Sequence, residues 1–162
     1  MLRVIEQLRH FHILPAIGLV QIYLASMQKI EHMGIAVKSL SASIPLFEKL
    51  LNSSCYKIEN VDSERVNTAF FQTGETKIEL LESQEIDGAI AKFIDKKGEG
   101  IHHIAFEVND LTSEINRLKK EGFTILNETP KTGADNKLIC FVHPESSKGV
   151  LIELCQSTNG KK

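Results

Sequence analysis

Gly100-Ile101-His102-His103-Ile104-Ala105-Phe106-Glu107-Val108 is an apolar run of period two that opens on a pair of histidines. Period two is the signature of a strand, whose side chains alternate between two faces. His103, Ala105 and Glu107 therefore share one face, while His102, Ile104, Phe106 and Val108 share the other. On this pattern His103 faces a site and His102 enters the opposite layer. The pattern recurs upstream. Glu31-His32-Met33-Gly34-Ile35-Ala36-Val37-Lys38-Ser39-Leu40 lies in register with the ten residues from His102 to Leu111, so that His32 matches His103 and Val37 matches Val108. An internal repeat of this kind makes each copy one structural unit that cannot bury its apolar face alone.

The elements fall into two similar sets. After the His32 strand, Leu40, Ile44, Phe47 and Leu51 recur at the spacing of an amphipathic helix. Pro45 places its start near 41–43, so that the ring falls in the first turn. Strands are expected over 55–59, 66–72 and 77–82, and a linking helix over 87–95 with Ile90, Phe93 and Ile94 on one side. After the His103 strand, Asp110 is the expected N-cap of a helix carrying Leu111, Ile115 and Leu118 that stops at Gly122. Strands follow over 123–126, 138–142 and 149–156, with 130–135 and 143–145 as turns. The fold class is α+β: two paired βαβββ modules, 29–84 and 100–157, joined by the linking helix and forming a curved mixed sheet around a metal-binding cleft. Together they make a single domain over 27–162.

Composition limits the alternatives. With 162 residues, 42% hydrophobic, 25% charged and a formal net charge of -2, the chain has the size and balance of one globular domain and lacks the basic surface of a nucleic-acid binder. Cys55, Cys140 and Cys155 show no metal-ligand spacing and are read as reduced thiols of a cytoplasmic protein, or of the mitochondrial matrix in a eukaryote. Residues 1–26 stand outside the repeat as an N-terminal extension. Pro15 and Gln21 interrupt its apolar stretch, which argues against a membrane span. It is read first as sequence upstream of a true start at Met27, then as a cleaved targeting segment, then as a helix.

The chemistry lies on the last strand of each set. Glu79 alternates with Ile78 and Leu80, and Glu153 with Ile152 and Leu154. A carboxylate in the middle of an apolar strand is costly unless it is solvated, paired or bound to a cation. The spacings match: 47 residues separate His32 from Glu79, and 50 separate His103 from Glu153. If the modules pack about a pseudo-twofold axis, His32, Glu79, His103 and Glu153 converge as a mixed nitrogen and oxygen site suited to Co²⁺, Mn²⁺, Ni²⁺ or Zn²⁺. Gly34, Ala36 and Ala105 on the same faces leave room for a substrate. Glu107 is expected at the rim, and His143 in an exposed turn.

These residues resemble the vicinal oxygen chelate (glyoxalase and bleomycin-resistance) superfamily and, within it, the methylmalonyl-CoA epimerases. The resemblance covers about 29–156. It is carried by the two histidine strands, Ala89-Ile90-Ala91-Lys92-Phe93-Ile94, Pro130-Lys131-Thr132-Gly133, and His143-Pro144 leading to Gly149-Val150-Leu151-Ile152-Glu153-Leu154. It implies a divalent metal, Co²⁺ foremost, held by His32, Glu79, His103 and Glu153, with Glu153 also the catalytic base. The implied reaction is epimerisation of (2R)- and (2S)-methylmalonyl-CoA through an enolate. It also implies a homodimer and a metabolic link to a cobalamin-dependent methylmalonyl-CoA mutase. A second base seen in some relatives falls on Thr68 here, leaving Glu64, Glu79 or a water for that face. Lys131, Ser147 and Lys148 are candidates for coenzyme A contacts. The alternatives are a glyoxalase resembling lactoylglutathione lyase, disfavoured because the first helix contains no arginine, and a metal-independent small-molecule binding protein of the same fold.

Overall fold

The computed structural model describes residues 27–158, so the expectations about residues 1–26 lie outside the described residues. The strands are β1 (Lys29–Ala36), β2 (Lys57–Val61), β3 (Val66–Thr73), β4 (Thr76–Ser83), β5 (Gly100–Glu107), β6 (Lys131–Thr132), β7 (Lys137–Val142) and β8 (Leu151–Ser157). The helices are α1 (Leu40–Leu51), α2 (Ala89–Lys97) and α3 (Leu111–Lys120), with short 3-10 turns at Ala134–Asn136 and Pro144–Ser147. The eight strands form one mixed sheet in the order β2-β3-β4-β1-β5-β8-β7-β6. β1 pairs parallel with β4 and β5 parallel with β8, while β1 and β5 meet antiparallel at the centre. This is the paired-module α+β architecture that the repeat implied.

Each module anchors its helix in the same way. Ser39 accepts the Ala42 N–H and Asp110 the Ser113 N–H, satisfying first-turn donors that have no partner inside the helix. The end of the neighbouring parallel strand adds a second acceptor. Glu82 takes the Leu40 N–H at 2.7 Å, and Gln156 takes the Leu111 N–H at 2.8 Å. Leu40, Ile44, Phe47 and Leu51 of α1 then pack on Ala69, Phe71, Ile78 and Leu80, while Leu111, Ile115 and Leu118 of α3 pack on Cys140, Val142 and Leu154. One face of the sheet is thereby an apolar core, and the other is left for chemistry. All three cysteines are free thiols, as expected.

Two expectations are corrected. Helix α1 begins at Leu40, which leaves Pro45 inside it rather than in its first turn. The carbonyl that Pro45 leaves without an N–H partner belongs to Ser41, and both residues are exposed, so solvent serves it. The strand expected at 123–126 is reduced to a single bridge, Ile125 to Val142. Beyond it the Asn127 side chain substitutes for backbone, accepting the Phe141 N–H at 2.9 Å and donating to the Ile139 carbonyl at 3.2 Å. The backbone ladder resumes only in β6, inside the expected 130–135 turn.

The two ends of the sheet are tied by side chains. Asp135, held at a positive φ of 56° in the turn before β7, accepts from Lys57 at 3.1 Å and Lys77 at 2.6 Å, while its N–H donates to Glu59 at 3.0 Å. Ser63 donates to the Thr132 carbonyl and Lys131 pairs with Glu64. Segment 131–136 therefore straps the β6–β7 end of the sheet to the β2 end and closes the curl over the concave face.

The hydrogen bond from Lys77, against a smaller burial cost and with help from Lys57, holds the Asp135 carboxyl below its usual range. A carboxyl depressed in the folded state contributes stability that is fully present above its unfolded value and lost as pH falls through the folded one. Melting temperature should drop on acidification below about pH 4, and Asp135→Asn should flatten that drop while lowering the melting temperature at neutral pH. Parallel thermal melts of the two proteins across this range provide the check.

Candidate metal centre

The centre is built on the β1–β5 seam and on the parallel neighbour of each strand. His32 and His103 come from the two central strands, and Glu79 of β4 and Glu153 of β8 flank them. All four side chains are buried. The two imidazoles face each other with Nε2 atoms 2.9 Å apart. Glu79 Oε2 lies 3.1 Å from His32 Nε2 and 3.7 Å from His103 Nε2, and the Glu153 oxygens lie 3.9 and 3.4 Å from the same atoms. His32, His103 and Glu153 each offer a ligand atom within 4.8 Å of the others. Donor atoms about 3 Å apart suit neighbouring positions around an ion with bonds of roughly 2.0–2.2 Å, and neutral imidazole with carboxylate is a donor set for a borderline divalent metal. The residues present therefore fit a divalent cation.

Alternation alone does not account for the seam, because it carries two bulges. Glu31 of β1 and His102 of β5 lack a partner across the ladder where the register shifts. A bulged residue re-aims its side chain. His102 consequently does not enter the opposite layer, which corrects the expectation from periodicity. It lines the cavity, with Nδ1 3.0 Å from His103 Nδ1 and its ring edge-on to Phe93 at 5.0 Å between centroids. Glu31 turns in likewise, and its Oε2 lies 2.6 Å from His32 Nδ1. Its other oxygen accepts from Lys77 at 2.6 Å and Lys137 at 3.3 Å.

Sequence reading missed Glu31, Lys77 and Lys137. Lys77 carried a signal, standing two residues before Glu79 and so on its face. Glu31 carried none, since its orientation depends on the bulge. Glu107 pairs with Lys29 and, like His143, which caps a 3-10 turn, lies outside the cavity lining rather than at its rim. Thr68 is fully buried with its hydroxyl on the Glu59 carbonyl, and Glu64 lines the cavity. Ser147 and Lys148 lie at the turn before β8, away from that lining, while Lys131 is tied to Glu64.

Buried charge dominates the electrostatics. Burial works against a proton on His32, but the carboxylates of Glu79, Glu31 and Glu153 outweigh it and push the group up to about 10. Burial raises the Glu153 carboxyl to about 8, with Glu79 and Glu31 adding to the rise and His32 opposing it. Burial and the charge on His32 hold His103 well below its ordinary value. In the metal-free chain the excess negative charge is thus met by a proton on His32, at the point where a cation fits. A cavity open to solvent, lined by these residues with Phe70, Phe141 and Ile90, lies over this point.

Comparison with known proteins gives a consistent picture. The sequence model of the Glyoxalase/Bleomycin resistance protein/Dioxygenase superfamily matches residues 31–141. The uncharacterized protein YqjC of Bacillus subtilis is 38% identical over 130 residues, covering 80% of this chain and 93% of that protein. The ethylmalonyl-CoA/methylmalonyl-CoA epimerase of Cereibacter sphaeroides is 35% identical over 130 residues, 79% of this chain and 97% of that protein. A solved structure of Streptomyces coelicolor methylmalonyl-CoA epimerase in complex with 2-nitronate-propionyl-CoA superposes with a TM-score of 0.79 at 29% identity, over 85% of this chain and 99% of that one. Among the described residues no helix is long and apolar enough to cross a membrane.

Two outcomes are expected at this centre. A Cβ built on Gly34 would stand 2.2 Å from Cε1 of His103, so only glycine lets that ring lie across β1. Gly34→Ala should weaken Co²⁺ binding about tenfold or more, the scale of a lost supporting contact, as read by calorimetric titration. Because a bound cation replaces the proton on His32, affinity should rise with pH through the neutral range. Titration in buffers of different ionisation enthalpy should show release of about one proton or more per ion.

Proposed function

The chain belongs to the Glyoxalase/Bleomycin resistance protein/Dioxygenase superfamily, and from that membership we propose that it is a metal-dependent epimerase of methylmalonyl-CoA. The observation that carries the proposal is the convergence of His32, His103 and Glu153 on one buried point with Glu79 beside them. The near-complete coverage of the Cereibacter sphaeroides epimerase supports the substrate class. The nitronate held by the Streptomyces coelicolor enzyme supports the reaction type, since its C2 is trigonal, as the C2 of an enolate is.

We assign His32, Glu79, His103 and Glu153 as ligands of a divalent cation, Co²⁺ before Mn²⁺, Ni²⁺ or Zn²⁺. Such an ion supplies positive charge to the thioester and carboxylate oxygens that flank C2, where negative charge develops when the C2 proton leaves. Glu153 is the base for one face of that carbon. Thr68 has no acid to offer the other face. Glu64, a cavity carboxylate outside the ligand set, is the group we assign to it. The Lys77 and Lys137 ammonium groups, paired with Glu31, hold positive charge beside the ligand cluster. The same reading carries a homodimer, a cytoplasmic or mitochondrial-matrix location, and a cobalamin-dependent mutase as the metabolic neighbour.

Deuterium wash-in at C2 of methylmalonyl-CoA tests the proposal, with a no-enzyme control subtracted. Exchange should be fast in the Co²⁺-loaded protein, vanish on chelation and return on refilling. Glu153→Gln should slow it by about 100-fold or more. Thr68→Ala should exchange normally, and Glu64→Gln should still exchange one epimer while converting it slowly to the other. Normal exchange in Glu153→Gln would remove that residue as the base, and no exchange in metal-replete wild type would remove the epimerase assignment.

A further inference from the structure

We infer that Glu31 and His102, the two residues that the strand bulges turn into the cavity, are positioning residues for His32 and His103. Each accepts the Nδ1–H of the histidine that follows it and so leaves that ring's Nε2 lone pair for a cation. The inference rests on the metal-site reading above and adds a supporting pair that neither periodicity nor the ligand set contains.

An imidazole presents a lone pair at one nitrogen only while its proton is on the other, so whatever accepts the Nδ1–H selects the ligating tautomer and fixes the ring plane. The geometry supplies that acceptor twice. Glu31 Oε2 lies 2.6 Å from His32 Nδ1, and His102 Nδ1 lies 3.0 Å from His103 Nδ1. In both modules the Nε2 atoms are the ones that meet, 2.9 Å apart. The two acceptors occupy equivalent places in the repeat, one residue before each ligand histidine, and each sits where the β1–β5 ladder skips a residue. Regular pairing would turn both side chains to the opposite face.

Both acceptors are themselves braced. Lys77 and Lys137 hold the free oxygen of Glu31, and the Phe93 ring edge stands against His102. The two are nevertheless unequal. A carboxylate strengthens the donor power of its histidine more than a neutral imidazole does, because a hydrogen bond to an ionised acceptor is roughly twice as strong. His32 is therefore the stronger ligand of the pair, and its support the more costly to lose.

The test uses the full chain, stripped of metal and titrated with Co²⁺, with affinity read from the visible absorption of the bound ion. Proton NMR of the loaded protein in H₂O and D₂O should show two strongly shifted, exchangeable ring N–H signals, one per histidine. Glu31→Gln should weaken binding by about 10- to 100-fold and move one signal. His102→Leu should weaken it by about tenfold and lose the other signal to solvent exchange, while His102→Gln, which keeps an acceptor, should recover most of the affinity. Melting curves of the metal-free variants control for folding, and the two positions test the inference independently. Unchanged affinity with both signals in place in folded variants would overturn it. A wild-type chain that takes up no Co²⁺ would instead remove the metal-site reading itself, a result visible before any variant is made.

Discussion

Three carboxylates, Glu31, Glu79 and Glu153, are buried on the concave face of an otherwise apolar sheet, and charge cannot stay there uncompensated. Lys77 and Lys137 answer Glu31, but among the described residues the ion-pair partners of Glu79 and Glu153 are the imidazoles of His32 and His103. A proton on His32 meets part of the deficit. A divalent cation meets it more fully and leaves both histidines neutral. The arrangement costs folding free energy, and it persists because the convex side carries the core on which both helices pack.

The duplication explains how one fold satisfies that constraint twice. Each module caps its helix with a side chain from its own parallel strand and presents a histidine and a glutamate from adjacent strands. Joining the modules along β1 and β5 brings the two half-sites together, and only the small residue Gly34 allows the rings to meet across the seam. The strap around Asp135 then ties the far ends of the sheet and covers the centre. Its link to Lys77, and through Lys77 to Glu31, runs the closing contact of the fold into the hydrogen bond behind His32.

Two carboxylates of the cavity differ in their surroundings. Thr68 is buried with its hydroxyl bound to backbone and brings no ionisable group to the cavity. Glu153 lies inside the ligand cluster, where burial raises its proton affinity. Glu64 stands nearer solvent and is tied to Lys131.

What was legible from sequence were the features that repeat with a fixed period. Alternation put His32, His103, Glu79 and Glu153 on particular strand faces, matched spacing paired the modules, and apolar stripes located all three helices, because burial of an apolar face imposes those periods on any chain that folds this way. The strand expected at 123–126 shrank to the single bridge at Ile125, beyond which the Asn127 amide takes up the next backbone groups of β7, and α1 kept Pro45 in its interior because solvent reaches that side. Glu31 and His102 lay beyond sequence for a deeper reason. A bulge is a property of two paired strands, set by where one ladder must gain a residue on the other, and no single strand records it. Sequence alone determined which residues form the candidate site; tertiary pairing decided which neighbours turn inward to hold them, since that orientation exists only once β1 and β5 have met.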